Sequence, residues 1–257
     1  MKDDNIRAPW EKLYGPFKEW PTLRCTACGL GPLEASIERF ESRDSVDARQ
    51  GDGTWDGWQY GFFHGILQCS RSPCAKTHAI IGEWSDRDSD IVETASEAIE
   101  EFQSAGMSVR HILPPLPLLA LPKGAPPDLA DSLLLVSGVL LSDTNAAANR
   151  MRAVVEQLLD YLKIRKFPPG RRAARDRLNT HARIVAFQSL NAEAAEYLMA
   201  IKWIGNAGSH EGKAVSFATC LDGLEFLDVA IRLIFDQQDA GLKRRAAKVI
   251  KKKGPIA

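Results

Sequence analysis

Four cysteines in the first 74 residues have the spacing of metal ligands. Cys25 and Cys28 are separated by two residues, so both sulfurs can face one ion from a tight turn, and Gly29 supplies a permissive backbone after them. Cys69 and Cys74 form a second close pair. Since the first residues do not resemble a secretory signal, such pairs favour metal binding over disulfides. We predict a structural zinc ion bound by all four; the alternative is four reduced structural cysteines without metal.

Three strand-like segments place these cysteine pairs at the ends of hairpins. They cover residues 33–42, 58–69 and 77–84, and turn residues separate the first two. The order is typical of a zinc ribbon, here with a 40-residue insertion between the pairs. His64 and His78 offer two further ligands. Because both lie within the strand-like segments, we interpret them as structural histidines.

The segments around these strands predict less regular structure. Residues 1–24 combine prolines with large aromatic residues and predict an irregular arm. Residues 90–107 place apolar side chains at helical intervals and predict a short helix. A dense run of prolines then excludes a helix and indicates an extended connector, made by Pro114, Pro115, Pro117, Pro122, Pro126 and Pro127. We therefore assign residues 1–121 to a zinc-ribbon-like β domain with this connector.

Helical periodicity dominates the remainder of the chain. After Asp143, apolar residues repeat at the offsets of an amphipathic helix, as Met151, Val154, Val155, Leu158, Leu159 and Leu162. Four more helices are predicted near residues 128–141, 178–185, 192–204 and 217–234. Five helices with short connections predict an antiparallel bundle over residues 122–240, followed by a basic tail at 241–257. The predicted fold class is α+β.

The segment after the fourth of these helices contains the best candidate for chemistry in the second half. Gly205 and Asn206 both tolerate the left-handed conformation that closes a helix, so we expect the helix to end there. His210 then falls in a short connection before the apolar pattern that starts near Ser216. A side chain in such a connection can face a groove, and imidazole transfers protons near neutral pH.

Three stretches of this half resemble a bacterial family called domain of unknown function 4145, which is grouped with the HEPN superfamily of helical bundles. They are residues 126–129, residues 146–159 and the stretch from Ile204-Gly205-Asn206 to His210. The resemblance covers roughly residues 122–240. It implies a HEPN-like bundle that forms a homodimer and acts in prokaryotic defence, restriction or toxin systems. Several relatives also carry an N-terminal cysteine-rich element.

Catalytic HEPN proteins resemble metal-independent ribonucleases, in which an arginine and a histidine meet at the scissile phosphate. The imidazole moves the 2′-hydroxyl proton and the guanidinium stabilises the developing charge. The resemblance implies His210, Asn206 and Lys202 as catalytic residues, with Lys202 at the arginine position and separated from His210 by seven residues. Lysine lacks the planar fork of arginine, so Arg150 or Arg152 is an alternative source of charge. The structural alternative is that these residues only cap a helix and bind loop carbonyls.

The charges are divided unequally along a chain of 33 basic and 33 acidic residues. Residues 1–120 contain 12 basic and 19 acidic residues, a balance of −7, and the remainder has 21 and 14, a balance of +7. Clusters of lysine and arginine can neutralise phosphates, although many are only solvated surface. The cluster predicted to bind nucleic acid consists of Lys163, Arg165, Lys166, Arg171, Arg172, Arg175 and Arg177.

Two functions of different classes follow. In the first, the protein engages RNA or DNA through its helical domain in a prokaryotic defence system, with metal-independent RNA cleavage as an extension. In the second, it is a non-catalytic adaptor or sensor that docks on a partner protein of such a system. A DNA-binding regulator built on the ribbon is disfavoured by the acidic balance of residues 1–120. Short apolar runs and the polar first residues predict a cytoplasmic protein without membrane contact.

Overall fold

The computed structural model describes residues 7–43, 46, 59–86, 106–170, 173–208, 214–236 and 248–251. Backbone contacts divide the chain into two compact units. The first contains the described residues of Met1–Leu118 together with Ser137–Thr144, and the second contains those of Leu119–Val136 and Asn145–Ala257. In each unit, secondary structure positions a different group of candidate functional residues.

The first unit is built on a five-stranded antiparallel sheet in which each strand pairs with the next along the chain. Its strands are β1 (Leu23–Arg24), β2 (Pro32–Glu41), β3 (Tyr60–Cys69), β4 (Thr77–Ser85) and β5 (Gly106–Leu113). Burial alternates along them with a period of two, as in β3, where Phe63 and Leu67 are buried and Phe62 and Ile66 are exposed. One face of the sheet therefore carries the core.

Three of these strands confirm the predicted segments, and two parts of the unit differ from expectation. The arm predicted for residues 1–24 contains helix α1 (Arg7–Tyr14). Trp10 and Leu13 are three residues apart on its buried side, and Pro9 is tolerated because it lies in the first turn. The helix predicted for residues 90–107 lies outside the described residues except for its last two, which belong to β5.

All five predicted helices are present. They are α2 (Asp128–Leu140), α3 (Thr144–Tyr161), α4 (Thr180–Gln188), α5 (Ala192–Ala207) and α6 (Phe217–Phe235). Residues 114–127 contain neither helix nor strand, as their prolines predicted. In the second unit α5 packs against both α4 and α6, and the predicted apolar stripe of α3 is buried from Met151 to Leu159.

The predicted end of the fourth helix is wrong. Helix α5 continues through Gly205 and Asn206 to Ala207, and Gly208 follows it with a right-handed backbone. A Cβ at position 205 would lie 2.6 Å from the Cβ of Arg152 and 2.9 Å from the carbonyl oxygen of Ala148. Glycine is therefore required at this position for the close approach of α3 and α5, and not for a helix terminus. Within the described part of the chain, no helix has the length and hydropathy needed to cross a membrane.

Candidate functional site

The first cysteine pair lies in a tight turn between β1 and β2. The turn is closed by two backbone hydrogen bonds, from the amide of Cys25 to the carbonyl of Gly31 and from the amide of Gly29 to the carbonyl of Cys25, both 2.8 Å long. Gly29 has a φ of +68°, a conformation that favours glycine. The turn thus directs both sulfurs to one side, as the two-residue spacing predicted.

The second pair belongs to the connection between β3 and β4. Cys69 is the last residue of β3, and its amide donates to the carbonyl of Lys76. The amide of Cys74 donates to the carbonyl of Arg71 in the following turn. Strand β2 brings the two connections together because its residue Leu33 is paired with Leu23 on one side and with Cys69 on the other.

The sulfurs of Cys25, Cys28, Cys69 and Cys74 all lie within 4.8 Å of one another and could hold a metal ion. Two separations, Cys25 to Cys74 and Cys28 to Cys69, are 3.7 Å. Four sulfurs at about 2.3 Å from a tetrahedral ion would lie roughly 3.8 Å apart, so the observed spacing suits such an ion. None of these cysteines forms a disulfide, and Cys25 and Cys69 are buried.

Two thiols of the cluster differ in pKa because their surroundings differ. Backbone hydrogen bonds from Gly31 and Leu30 lower the pKa of Cys28 to about 6. Desolvation raises the pKa of Cys69 to about 12. Cys28 is therefore a thiolate and Cys69 a thiol at neutral pH, and a cation at the centre of the cluster would favour loss of the proton from Cys69.

The two histidines considered as further ligands lie elsewhere in the sheet. His78 is buried, and its Nδ1 lies 2.7 Å from the carbonyl oxygen of Pro114. The ring of His64 stacks on Phe40, with 5.0 Å between the centroids. Neither belongs to the metal-compatible cluster found among the described residues.

The predicted catalytic residues lie on α5 and in the segment after it. His210 lies outside the described residues, so its proximity to the others stays a prediction. Asn206 accepts a hydrogen bond of 3.4 Å from Nη1 of Arg152 on α3. Lys202 is buried, and its ammonium lies 3.3 Å from the ring centroid of Trp203. The guanidinium of Arg152, and not the ammonium of Lys202, is thus the charge bonded to Asn206.

This pair belongs to a larger polar cluster that joins α3, α4 and α5. Nη2 of Arg152 lies 3.7 Å from Oε1 of Glu156, which accepts a hydrogen bond of 2.6 Å from Thr180. The spacing of Arg152 and Glu156, four residues apart on one helix, could have suggested the ion pair. Nothing in the sequence indicates that Thr180 or Asn206 would meet them, because these contacts depend on how the helices pack.

The basic segment, residues 163–177, connects α3 to α4. Lys163, Arg165, Arg175 and Arg177 are exposed, and none forms an ion pair with a residue in the described ranges. Lys166 is also exposed but binds Asp160 at 2.7 Å. Arg171 and Arg172 lie outside the described residues.

Asp160 and Arg183 anchor the basic segment. Nη2 of the buried Arg183 donates to Oδ1 of Asp160 at 2.6 Å and to the carbonyl of Ile164 at 3.1 Å. Partial desolvation raises the pKa of Asp160, but the hydrogen bonds and charges of Lys166 and Arg183 outweigh it and leave that pKa below its usual value. These contacts hold the beginning of the segment, at Ile164 and Lys166, between Asp160 on α3 and Arg183 on α4.

Comparison with known protein families gives a match in the second half of the chain. Residues 136–253, less than half of the chain, match the model of a family described as a domain of unknown function (DUF4145). The match includes Arg152, Lys202, Asn206 and the basic segment, and it supports the resemblance to this domain of unknown function; residues 126–129 lie outside it. The chain has no significant match among curated proteins or solved structures.

Proposed function

We propose that the four-cysteine cluster binds a structural zinc ion. Soft thiolates suit zinc, and a closed set of four protein ligands is typical of a structural site. Residues 25–28 and 69–74 would then be cross-linked through the ion, which joins two connections of the sheet. Elemental analysis of the purified protein tests this: about one zinc per chain supports it, whereas iron or a metal-free folded protein contradicts it.

We further propose that the second compact unit (the helical unit) engages nucleic acid through the basic segment. The observation that carries this proposal is the exposure of Lys163, Arg165, Arg175 and Arg177 without ion-pair partners among the described residues. Unpaired cations in one segment can neutralise several successive phosphates and release their counterions. Action in a prokaryotic defence system and assembly as a homodimer through the helices belong to this proposal, on the strength of the resemblance.

Charge reversal of these four residues tests the nucleic-acid proposal. Replacing each with glutamate should abolish binding of a labelled oligonucleotide in fluorescence anisotropy measurements. The matched control introduces glutamate at four exposed uncharged positions elsewhere in the helical unit, which are Leu135, Val185, Gln188 and Leu190. The control should weaken binding much less, because it removes no cation. Equal affinity of the wild type and the charge-reversed protein would overturn the proposal.

RNA cleavage is the catalytic extension of this function. Arg152 and Asn206 place a guanidinium and an amide side by side, a pair that can bind a phosphate and stabilise charge on it. His210 would supply the proton transfer and Arg152, in place of Lys202, the positive charge. Incubation of mixed RNA with EDTA present, using wild type, His210→Ala and Arg152→Ala, tests this. Cleavage that both substitutions remove supports it, and cleavage that survives both contradicts it.

A non-catalytic interaction module is the second candidate function, and the sheet favours it. The solvent face of the sheet exposes large apolar side chains over neighbouring strands, at Phe40, Phe62, Ile66, Ile81 and Leu113. Glu34 and Glu38 lie on the same face. Contiguous apolar surface of this kind is typical of protein interfaces, and the carboxylates favour a partner with basic residues.

The two functions are separable by substitution. The double substitution Phe62→Ser and Ile81→Ser should remove binding of a partner protein to the sheet. It should leave the affinity for an oligonucleotide unchanged. Charge reversal of the basic segment should have the opposite effect. A loss of oligonucleotide binding in the Phe62→Ser and Ile81→Ser protein would contradict this separation.

A further inference from the structure

Trp203 is a large aromatic residue of α5 whose side chain is exposed to solvent. It is 57% exposed, whereas Leu198 and Ile201 on the same helix are fully buried. Its ring is held in place by two neighbours. The ammonium of Lys202 lies 3.3 Å from the ring centroid, and the ring of His181 on α4 meets it edge to face at 6.3 Å.

The lysine beside this ring is buried, which is unusual for a charged side chain. Lys202 is 9% exposed, so its charge is largely removed from water and lies against the aromatic ring. A cation–π contact is stronger when it is desolvated, and it orients the indole. The ammonium occupies part of the ring surface and holds the ring in place, so the exposed part of the indole is a fixed flat surface that suits a base.

Groups able to bind polar parts of a nucleotide lie close to this ring. Asn206 follows Trp203 by three residues, so both lie on one side of α5. Arg152 donates to Asn206, and its side chain is 37% exposed. His181 lies on the first turn of α4, four residues after Arg177 of the basic segment.

We propose that Trp203 is a stacking platform for an unpaired base, so that the ligand of the helical unit is a single-stranded nucleic acid. This inference rests on the proposed nucleic-acid function and narrows it. In a duplex the bases stack on one another, and their faces are closed to side chains. A single strand can splay out its bases, stack one on Trp203 and place its phosphates against Arg152 and the basic segment.

The test compares affinities of the full-length protein for three labelled probes of one 12-nucleotide sequence: single-stranded RNA, single-stranded DNA and the RNA duplex. Trp203→Ala should weaken binding of the single strands about tenfold or more, and Trp203→Phe should restore most of it. Duplex affinity should change little. Leu135→Ala is the matched control, because Leu135 is also 57% exposed and lies outside the site.

The outcomes distinguish this inference from the function on which it rests. If charge reversal of the basic segment weakens binding but Trp203→Ala does not, the stacking platform is wrong and the nucleic-acid function stands. If Trp203→Ala weakens single strands and duplex equally, the preference for unpaired bases is wrong. Failure of the wild-type protein to bind any probe would overturn both proposals. A stronger effect of Trp203→Ala on RNA than on DNA would identify RNA as the ligand.

Discussion

The thiols of Cys28 and Cys69 lie 3.7 Å apart, yet their pKa values differ widely. Backbone amides stabilise the thiolate of Cys28 and lower its pKa to about 6, whereas desolvation raises that of Cys69 to about 12. At neutral pH a metal ion must displace the proton of Cys69 to bind its sulfur. Proton release is therefore part of metal binding at this site.

Zinc affinity should fall as the pH falls. Between pH 8 and 6 the proton released from Cys69 alone weakens binding about tenfold for each pH unit. Below about pH 6 Cys28 also becomes protonated, so the dependence should steepen. Competition with a chelator of known proton affinity measures this. A zinc affinity that stays constant between pH 6 and 8 would contradict proton release from Cys69 on metal binding.

Gly31 is the residue on which the geometry of the cluster depends most closely. A Cβ at this position would lie 2.8 Å from Sγ of Cys69. Gly31→Ala should therefore displace that sulfur and weaken zinc binding at least tenfold, measured by the same competition. Gly29→Asn is the control, because nothing lies within 4 Å of its Cβ position and asparagine tolerates its positive φ. Equal affinities of the two variants would exclude this role of Gly31.

At the scale of secondary structure, α3 and α5 approach closely at Gly205. Gly205→Ala should lower the free energy of unfolding by about 1–3 kcal/mol, because the added methyl group meets the backbone of Ala148 and the Cβ of Arg152. Gly223→Ala in α6 is the matched control, since its methyl group would meet the flexible end of Met151 at 3.1 Å and Cδ1 of Ile204 at 3.5 Å, both of them side-chain atoms. Urea denaturation measures both, and an equally stable Gly205→Ala protein would refute the close approach.

The ion pair of Asp160 with Arg183 should matter more than a surface pair. Asp160→Ala leaves the buried guanidinium without its carboxylate and should cost about 2–4 kcal/mol, against less than about 1 kcal/mol for Asp228→Ala, which breaks the i,i+4 pair with exposed Arg232. The pKa of Asp160 is lowered in the folded state, so its stabilisation is complete at neutral pH and is lost as the pH falls below about 4. Acid denaturation curves that coincide for the wild type and Asp160→Ala would contradict this.

Local spacing of residue types predicts the helices and the connector, whereas the packing between helices cannot be predicted from it. The apolar stripe of α3 and the prolines at 114–127 identify a helix and a connector because local spacing decides both. The helix end expected at Gly205 is wrong, since this glycine serves the approach to Arg152, which is distant in the chain. Similarly, the cysteine spacing predicts the metal-compatible cluster, whereas the buried position of Lys202 depends on packing.

At the scale of the whole molecule, the metal-compatible cluster and the basic segment belong to different compact units. Removal of metal by a strong chelator should therefore increase hydrogen exchange in β1, β2 and the connection between β3 and β4. Exchange in the core of α3, α5 and α6 should change little, because those helices bury their own apolar residues. Equal loss of protection in both units would show that the helices depend on the metal.

The dependence of affinity on salt concentration decides whether the helical unit binds nucleic acid through its basic segment. The affinity of single-stranded RNA for the wild type should fall steeply as salt increases. Replacement of Lys163, Arg165, Arg175 and Arg177 with glutamine should make the plot of log affinity against log salt shallower by about 0.7 for each phosphate that the segment no longer neutralises. An unchanged slope and affinity would show that the segment does not bind nucleic acid.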